Sequence, residues 1–270
     1  MDMVVVEEIR AERMRGKLTT DYRNEVNAAR FAAAATHEKD LIIAPAIQAA
    51  FEKAVTGRGK KVILDYGMGP GYITVPFLAD GHTVYGYDTS EDMVNIAKGV
   101  IREAENLSRA SHLFTSDYDV LEKVINNHPD KRGADFGILS FVHPSIDTED
   151  NLHGLMHKVT KLMADNSTVI LIGANPEGLA KNHVTCQYDV KDPPDLNDGD
   201  IYHGTIYDGR GNSKFQVTDR YWSQKTLINS ADSAGLRFIT SETIDDKRGT
   251  SPRRPNKNGV PPFIMLTFRK

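Results

Sequence analysis

The stretch Val62-Ile63-Leu64-Asp65-Tyr66-Gly67-Met68-Gly69-Pro70-Gly71 constrains this chain more than any other. A short apolar run ends in a carboxylate and then breaks into alternating glycines. The pattern predicts a buried strand, a tight loop and then a helix. Glycines there permit backbone angles closed to other residues and let a ligand approach the main chain. A second run, Thr83 to Tyr87, ends at Asp88. Strand, loop, helix and a second strand tipped by an acid form a unit of a doubly wound α/β sheet. Such sheets bind ligands outside the carboxyl ends of their strands.

Two ligand classes compete for the loop. The dinucleotide fingerprint is G-x-G-x-x-G, with the pyrophosphate on the following helix. Here the third glycine comes early, at Gly71, and Tyr72 stands where the fingerprint wants its last glycine. Asp65 precedes the glycines closely. Beside a pyrophosphate in a poorly solvated crevice, it would cost on the order of several kcal/mol. A ligand with positive charge would gain instead. The run Asp65-x-Gly67-x-Gly69-x-Gly71, with Asp88 downstream, resembles the nucleotide-binding signature of class I S-adenosylmethionine (SAM)-dependent methyltransferases. SAM carries an ammonium and a sulfonium and no phosphate.

The resemblance implies an α/β chain with a three-layer Rossmann-like methyltransferase fold. A seven-stranded, mostly parallel sheet with an antiparallel last strand is expected, plus an N-terminal helical cap and a β-hairpin insertion. It also implies SAM as cofactor and S-adenosylhomocysteine (SAH) as its product. The cofactor-binding residues it implies are Asp65, Gly67, Met68, Gly69, Gly71, Asp88, Thr89, Met93, Asp117, Tyr118, Ser140 and Phe141. Asp88 is the ribose ligand in this assignment, and Asp117 fits the residue that holds the adenine amino group. Met93 has a core role as its alternative. Asp117 has a helix N-cap as its alternative, and one residue can do both.

Taken in order, residues 4–18, Tyr22 to Ala35 and Leu41 to Val55 have helical spacing, with Pro45 near the third helix's first turn. They make residues 1–59 a helical cap, and residues 60–270 the SAM-binding domain. In the resembled family, a tyrosine of such a cap can close over the cofactor. Tyr22 is the candidate, with plain packing as its alternative. The sheet half reads as strands 62–66, 83–87, 111–115, 134–140 and 168–173, with helices 72–80, 91–107, 118–127 and 149–163 between them. Ser90 is placed to cap the second of these helices, and Glu91 and Asp92 suit the positive end of its dipole. Residues 174–222 form the insertion. Its part 175–200 is polar and irregular, and Asp208-Gly209-Arg210-Gly211-Asn212 marks a hairpin between strands 202–207 and 214–221. A helix capped by Ser223, then strands 236–244 and 262–268 around a basic, proline-rich loop 245–261, complete the chain.

Composition sets outer bounds. A net charge of −4 argues against a broad nucleic-acid-gripping face, so no nucleic-acid partner is expected. The lone Cys186 excludes an internal disulfide and a cysteine-rich zinc site. No apolar run approaches the ~20 residues of a membrane helix, and the opening lacks a signal peptide's basic head and long apolar core. A soluble cytoplasmic protein, monomer or homodimer, with no membrane partner, is expected.

Methyl transfer needs alignment first, and a base only when the acceptor must lose a proton. His143, just past the fourth strand, is the candidate base, with a structural role as its alternative. His143 joins Tyr22, His183, Tyr202, His203, Tyr221 and Trp222 as candidate substrate-binding residues, with packing as the alternative for each. No metal-ligand spacing is evident. His153 and His157 lie i, i+4 on one helix, which fits a solvated face. The motif of amino-methylating DNA enzymes and the Pro-Cys of cytosine-C5 enzymes are both missing. The expected function is methyl transfer to nitrogen or oxygen of a small molecule, in specialised (natural-product) metabolism. The alternatives are an RNA or protein methyltransferase, an NAD(P)-dependent oxidoreductase and a non-catalytic SAM-binding protein.

Overall fold

Strand β1, Val62–Tyr66, is buried along its whole length and sits in the middle of the fold. Its side chains alternate between two cores, as strand geometry requires. Ile63 enters one hydrophobic cluster, and Leu64 and Tyr66 enter the other. A strand apolar on both faces needs helices on both sides, which produces three layers. The computed structural model describes residues 20–23, 25–38, 42–57, 59–103, 112–129, 132–181, 183, 185–191, 194–207, 214–245 and 259–270. The expected helix over residues 4–18 and most of the basic loop lie outside them.

The remaining elements are helices α1 (Glu25–Glu38), α2 (Ala44–Ala54), α3 (Thr74–Ala79), α4 (Glu91–Glu103), α5 (Tyr118–Asn126), α6 (Glu149–Leu162) and α7 (Gln224–Ser233). The other strands are β2 (Thr83–Tyr87), β3 (His112–Thr115), β4 (Ala134–Ser140), β5 (Met163–Ala174), β6 (Cys186–Tyr188), β7 (Ile201–Tyr207), β8 (Lys214–Arg220), β9 (Arg237–Ile244) and β10 (Phe263–Arg269).

The main sheet has the order β3-β2-β1-β4-β5-β10-β9. Strands β1 to β5 pair in parallel, and β10 inserts antiparallel between β5 and β9. The order in which strands are added switches sides between the parallel neighbours β1 and β4, which opens a crevice at their carboxyl ends. One layer buries Ile47 of α2, Phe77 of α3 and Val94 of α4. The other buries Leu121 of α5, Leu152 of α6 and Leu227 of α7. Pro45 stands in the first turn of α2, where a missing N–H costs little. Ser223 caps α7 by accepting from the Thr226 amide.

The insertion is a separate three-stranded antiparallel sheet, β6-β7-β8. A two-stranded hairpin was expected, and β6 is the addition. It comes from the stretch read as irregular, because a strand of three residues gives too short an alternation to register. Helix α1 packs against β7, β8 and α4, so cap and insertion meet over the parallel strands.

Candidate active site

The glycine loop is held from two sides. The Gly67 and Met68 amides both donate to the Tyr87 carbonyl, at 2.7 and 2.9 Å, which folds the loop back over β2. Gly67 has φ +78, and a Cβ there would lie 2.4 Å from Val142 Cγ2. No other residue fits, since both the backbone angle and the approach of the β4 tip exclude a side chain. The loop after β1 and the turn after β4 therefore touch across the crevice.

Asp88 closes the loop. Its Oδ2 accepts from the Gly69 amide at 2.9 Å and its Oδ1 from the Ser90 amide at 2.9 Å. Burial raises its carboxyl above the usual range, and the two amide bonds partly offset that. Ser90 Oγ donates to the Tyr22 carbonyl at 2.6 Å and accepts from the Met93 amide at 3.2 Å. One serine thus caps α4 and ties the N-terminal segment to the loop. Asp65 is 1 % exposed, and its Oδ2 accepts from Thr74 Oγ1 at 2.8 Å in the first turn of α3.

The other residues assigned to the cofactor divide. Met68 is buried beneath the loop, against the bare backbone of Gly86. Met93 is buried on α4 and Thr89 is exposed beside Asp88. Asp117 caps α5, its Oδ1 accepting from the Asp119 and Val120 amides, and its Oδ2 makes no hydrogen bond among the described residues. Tyr118 is drawn away from the crevice. Its hydroxyl donates to the Lys158 carbonyl on α6, and the Lys158 ammonium lies over its ring. Ser140 is buried at the β4 tip. Phe141 follows it with φ 58, a backbone region unusual for a bulky residue, and its ring meets Phe263 edge-on at 5.4 Å.

His143, the candidate base with a structural role as its alternative, is buried. It opens a short 3-10 turn, His143–Ser145, and its imidazole lies on Gly173, where a Cβ would be 2.3 Å from Cε1. The ring is 6 % exposed, and burial lowers its pKa to about 3. Among the described residues no carboxylate stands beside it to support a proton. Burial thus favours the neutral imidazole.

The expected substrate-side residues separate as well. Tyr22 packs against Phe31 and Phe215, with ring centroids 5.0 and 6.1 Å away. Its phenol is raised by burial and then by the carboxylates of Asp219 and Asp88. Tyr202 points inward and meets Tyr188 edge-on. His203, next along the strand, points outward and pairs with Thr218 Oγ1. Strand alternation forbids both from lining one pocket. His183 is locked in a turn, its Nε2 2.8 Å from the Gly178 carbonyl. Trp222 lies in the core on the α7 side of the sheet and donates from Nε1 to the Ile146 carbonyl. Tyr221 is partly buried beside Tyr202.

One residue near this site is missing from the expectations. Asp219 on β8 stands opposite Tyr202, and burial pushes its carboxyl up to about 7. Its signal was available in the sequence, as a charge at an inward strand position, two residues past Val217 and four past Phe215. Among the described residues, no group of three or more His, Cys, Asp or Glu side chains suits a metal ion, and no helix is long and apolar enough to cross a membrane.

No protein-family model matches this chain, and no curated protein matches it in sequence. Solved structures match it in shape. The CcbJ methyltransferase from Streptomyces caelestis superposes with a TM-score of 0.55 at 15 % identity, over 87 % of this chain and 89 % of that one. Magnesium protoporphyrin IX methyltransferase (ChlM) from Synechocystis PCC 6803, solved with SAH, gives 0.56 at 15 % identity over 93 % and 96 %. A SAM-dependent methyltransferase from Clostridium acetobutylicum gives 0.53 at 11 % over 98 % of both. With the strand order and the closed glycine loop, these likenesses give the chain the fold of the class I SAM-dependent methyltransferases.

Proposed function

We propose that this protein is a SAM-dependent methyltransferase acting on nitrogen or oxygen of a small molecule, in a biosynthetic pathway of specialised metabolism. The observation that carries the proposal is the bond from the Gly69 amide to Asp88 Oδ2. In a dinucleotide site the loop amides face a pyrophosphate. Here one amide is used by a carboxylate, and Asp65 lies behind the same loop, so a phosphate would meet negative charge. A neutral ribose suits Asp88 instead, because each of its oxygens keeps a lone pair for a hydroxyl donor. The small-molecule assignment draws support from neighbours named for magnesium protoporphyrin IX and for a glycopeptide.

When bound, SAM supplies a methyl group already activated by its sulfonium. In this proposal the chain does the rest by positioning. Asp88 orients the ribose, Asp117 Oδ2 is free to accept from the adenine amino group, and Met68 and Met93 make an apolar floor. The Phe141–His143 turn, pressed against Gly67, bounds the methyl end of the crevice and excludes water from it. The test is a calorimetric titration of the protein with SAM, SAH and NADH. Binding of SAM and SAH at micromolar concentration, with no heat from NADH, is expected. NADH binding without SAM binding would overturn the proposal in favour of an oxidoreductase.

A further inference from the structure

The inner face of the three-stranded sheet carries a carboxylate that no described residue neutralises. Asp219 and Tyr202 are cross-strand partners on β8 and β7, so their side chains rise from the same face. That face also presents Phe215 and Val217, which join the core cluster of Met68 from the glycine loop. Strand β8 runs beside α1 and beside the His143–Ser145 turn after β4. It is also stitched to the N-terminal segment. The Thr20 amide donates to the Thr218 carbonyl at 3.0 Å, and the Thr218 amide donates to Thr20 Oγ1 at 2.8 Å. Asp219 therefore stands between the cap and the β4 tip, at the mouth of the crevice where an acceptor must enter. Tyr22 is held against the same face, its ring 6.1 Å from that of Phe215, and the carboxylates of Asp219 and Asp88 both raise its phenol.

Among the described residues Asp219 makes no hydrogen bond and no ion pair, although part of its surface remains open to solvent. Among the described residues its titratable neighbours are the phenols of Tyr22 and Tyr202, and none is a cation. A half-desolvated carboxylate without a partner is unfavourable by itself and becomes favourable when a cation arrives. An anionic acceptor would face both Asp219 and Asp88. A neutral acceptor would leave the desolvation of Asp219 uncompensated. A protonated amine would pair with the carboxylate, donate N–H bonds to it, and lie against two phenol rings whose faces attract cations.

We propose that Asp219, flanked by Tyr22 and Tyr202, binds the ammonium group of an amine-bearing methyl acceptor. The assignment of the amine compound as acceptor rests on the methyltransferase reading, whereas the ammonium site is a property of Asp219 itself. Calorimetric titration of benzylamine and of benzyl alcohol into the protein saturated with SAH tests it. Benzylamine is expected to bind at least about tenfold tighter, the scale of one charged hydrogen-bonded pair. In Asp219→Asn the preference disappears while SAH affinity is retained, and in Asp219→Glu part of the preference returns. Equal binding of the two probes, or a preference that survives in Asp219→Asn, overturns the site. Should SAH itself fail to bind, the methyltransferase reading falls, and the same two probes titrated into the protein alone still decide whether Asp219 takes an ammonium.

Discussion

Single residues carry the sharpest consequences of this structure. Gly67→Ala places a methyl group 2.4 Å from Val142 Cγ2 at a φ of +78. It should cost about 2–4 kcal/mol of stability, through strain and through displacement of the β4 turn. A urea denaturation midpoint unchanged from the parent protein would show that the loop and turn are not in contact. Asp219→Asn has the opposite sign. The unfolded chain gives up this proton near pH ~4, whereas the folded one keeps it to about 7. Folded stability therefore falls as pH rises through that window and levels off above it. Removing the charge should stabilise the protein at pH 8 by about 2–4 kcal/mol and change little at pH 4. Thermal melts at the two pH values give the difference directly, and an equal effect at both would contradict a desolvated carboxylate. At this scale the sequence was only partly legible. Asp65, Asp88 and the glycines announce themselves by spacing along a strand and loop. The inward or outward direction of Tyr202 and His203 depends on strand phase, Trp222 depends on Ile146, a partner far away in sequence, and His183 depends on a local turn at Gly178 that leaves no side-chain pattern.

Among the elements, the N-terminal segment is the one whose role depends most on others. It adds an edge pairing to β8 through Thr20, and Ser90 anchors it to α4 through the Tyr22 carbonyl. Ser90→Ala removes that anchor and the bond to the Met93 amide together. The loss should be about 1–2 kcal/mol, that of a helix cap with a second hydrogen bond. The Thr218 amide, held by Thr20 Oγ1, should then exchange with solvent faster, as hydrogen exchange can measure. Unchanged protection at Thr218 would mean the segment is fixed without Ser90. Helical periodicity foretold α1 and α2, and Pro45 and Ser223 marked helix starts correctly. The three-residue β6 and the Thr20–Thr218 pairing were invisible, because both are long-range backbone pairings with almost no side-chain pattern.

Across the whole molecule, the sheet order explains why scattered residues share one place. Asp65 lies one residue before the end of β1, Asp88 follows β2, Asp117 follows β3, and Phe141 and His143 follow β4, so parallel pairing brings these positions to one edge. That architecture was legible early, because a strand buried on both faces, followed by a glycine loop and a second acid, has few other homes. The hairpin β7–β8 of the insertion that faces this edge was legible from its turn, whereas β6 and the inward place of Asp219, which carry the acceptor side of the account, were not read. The most direct measurement of the central claim is a crystal structure of the protein with SAH. The account predicts ribose hydroxyls within hydrogen-bond distance of Asp88, adenine beside Asp117, and the sulfur directed toward the Phe141–His143 turn and the Asp219 face. SAH bound elsewhere, or bound with Asp88 turned away from its ribose, would contradict it.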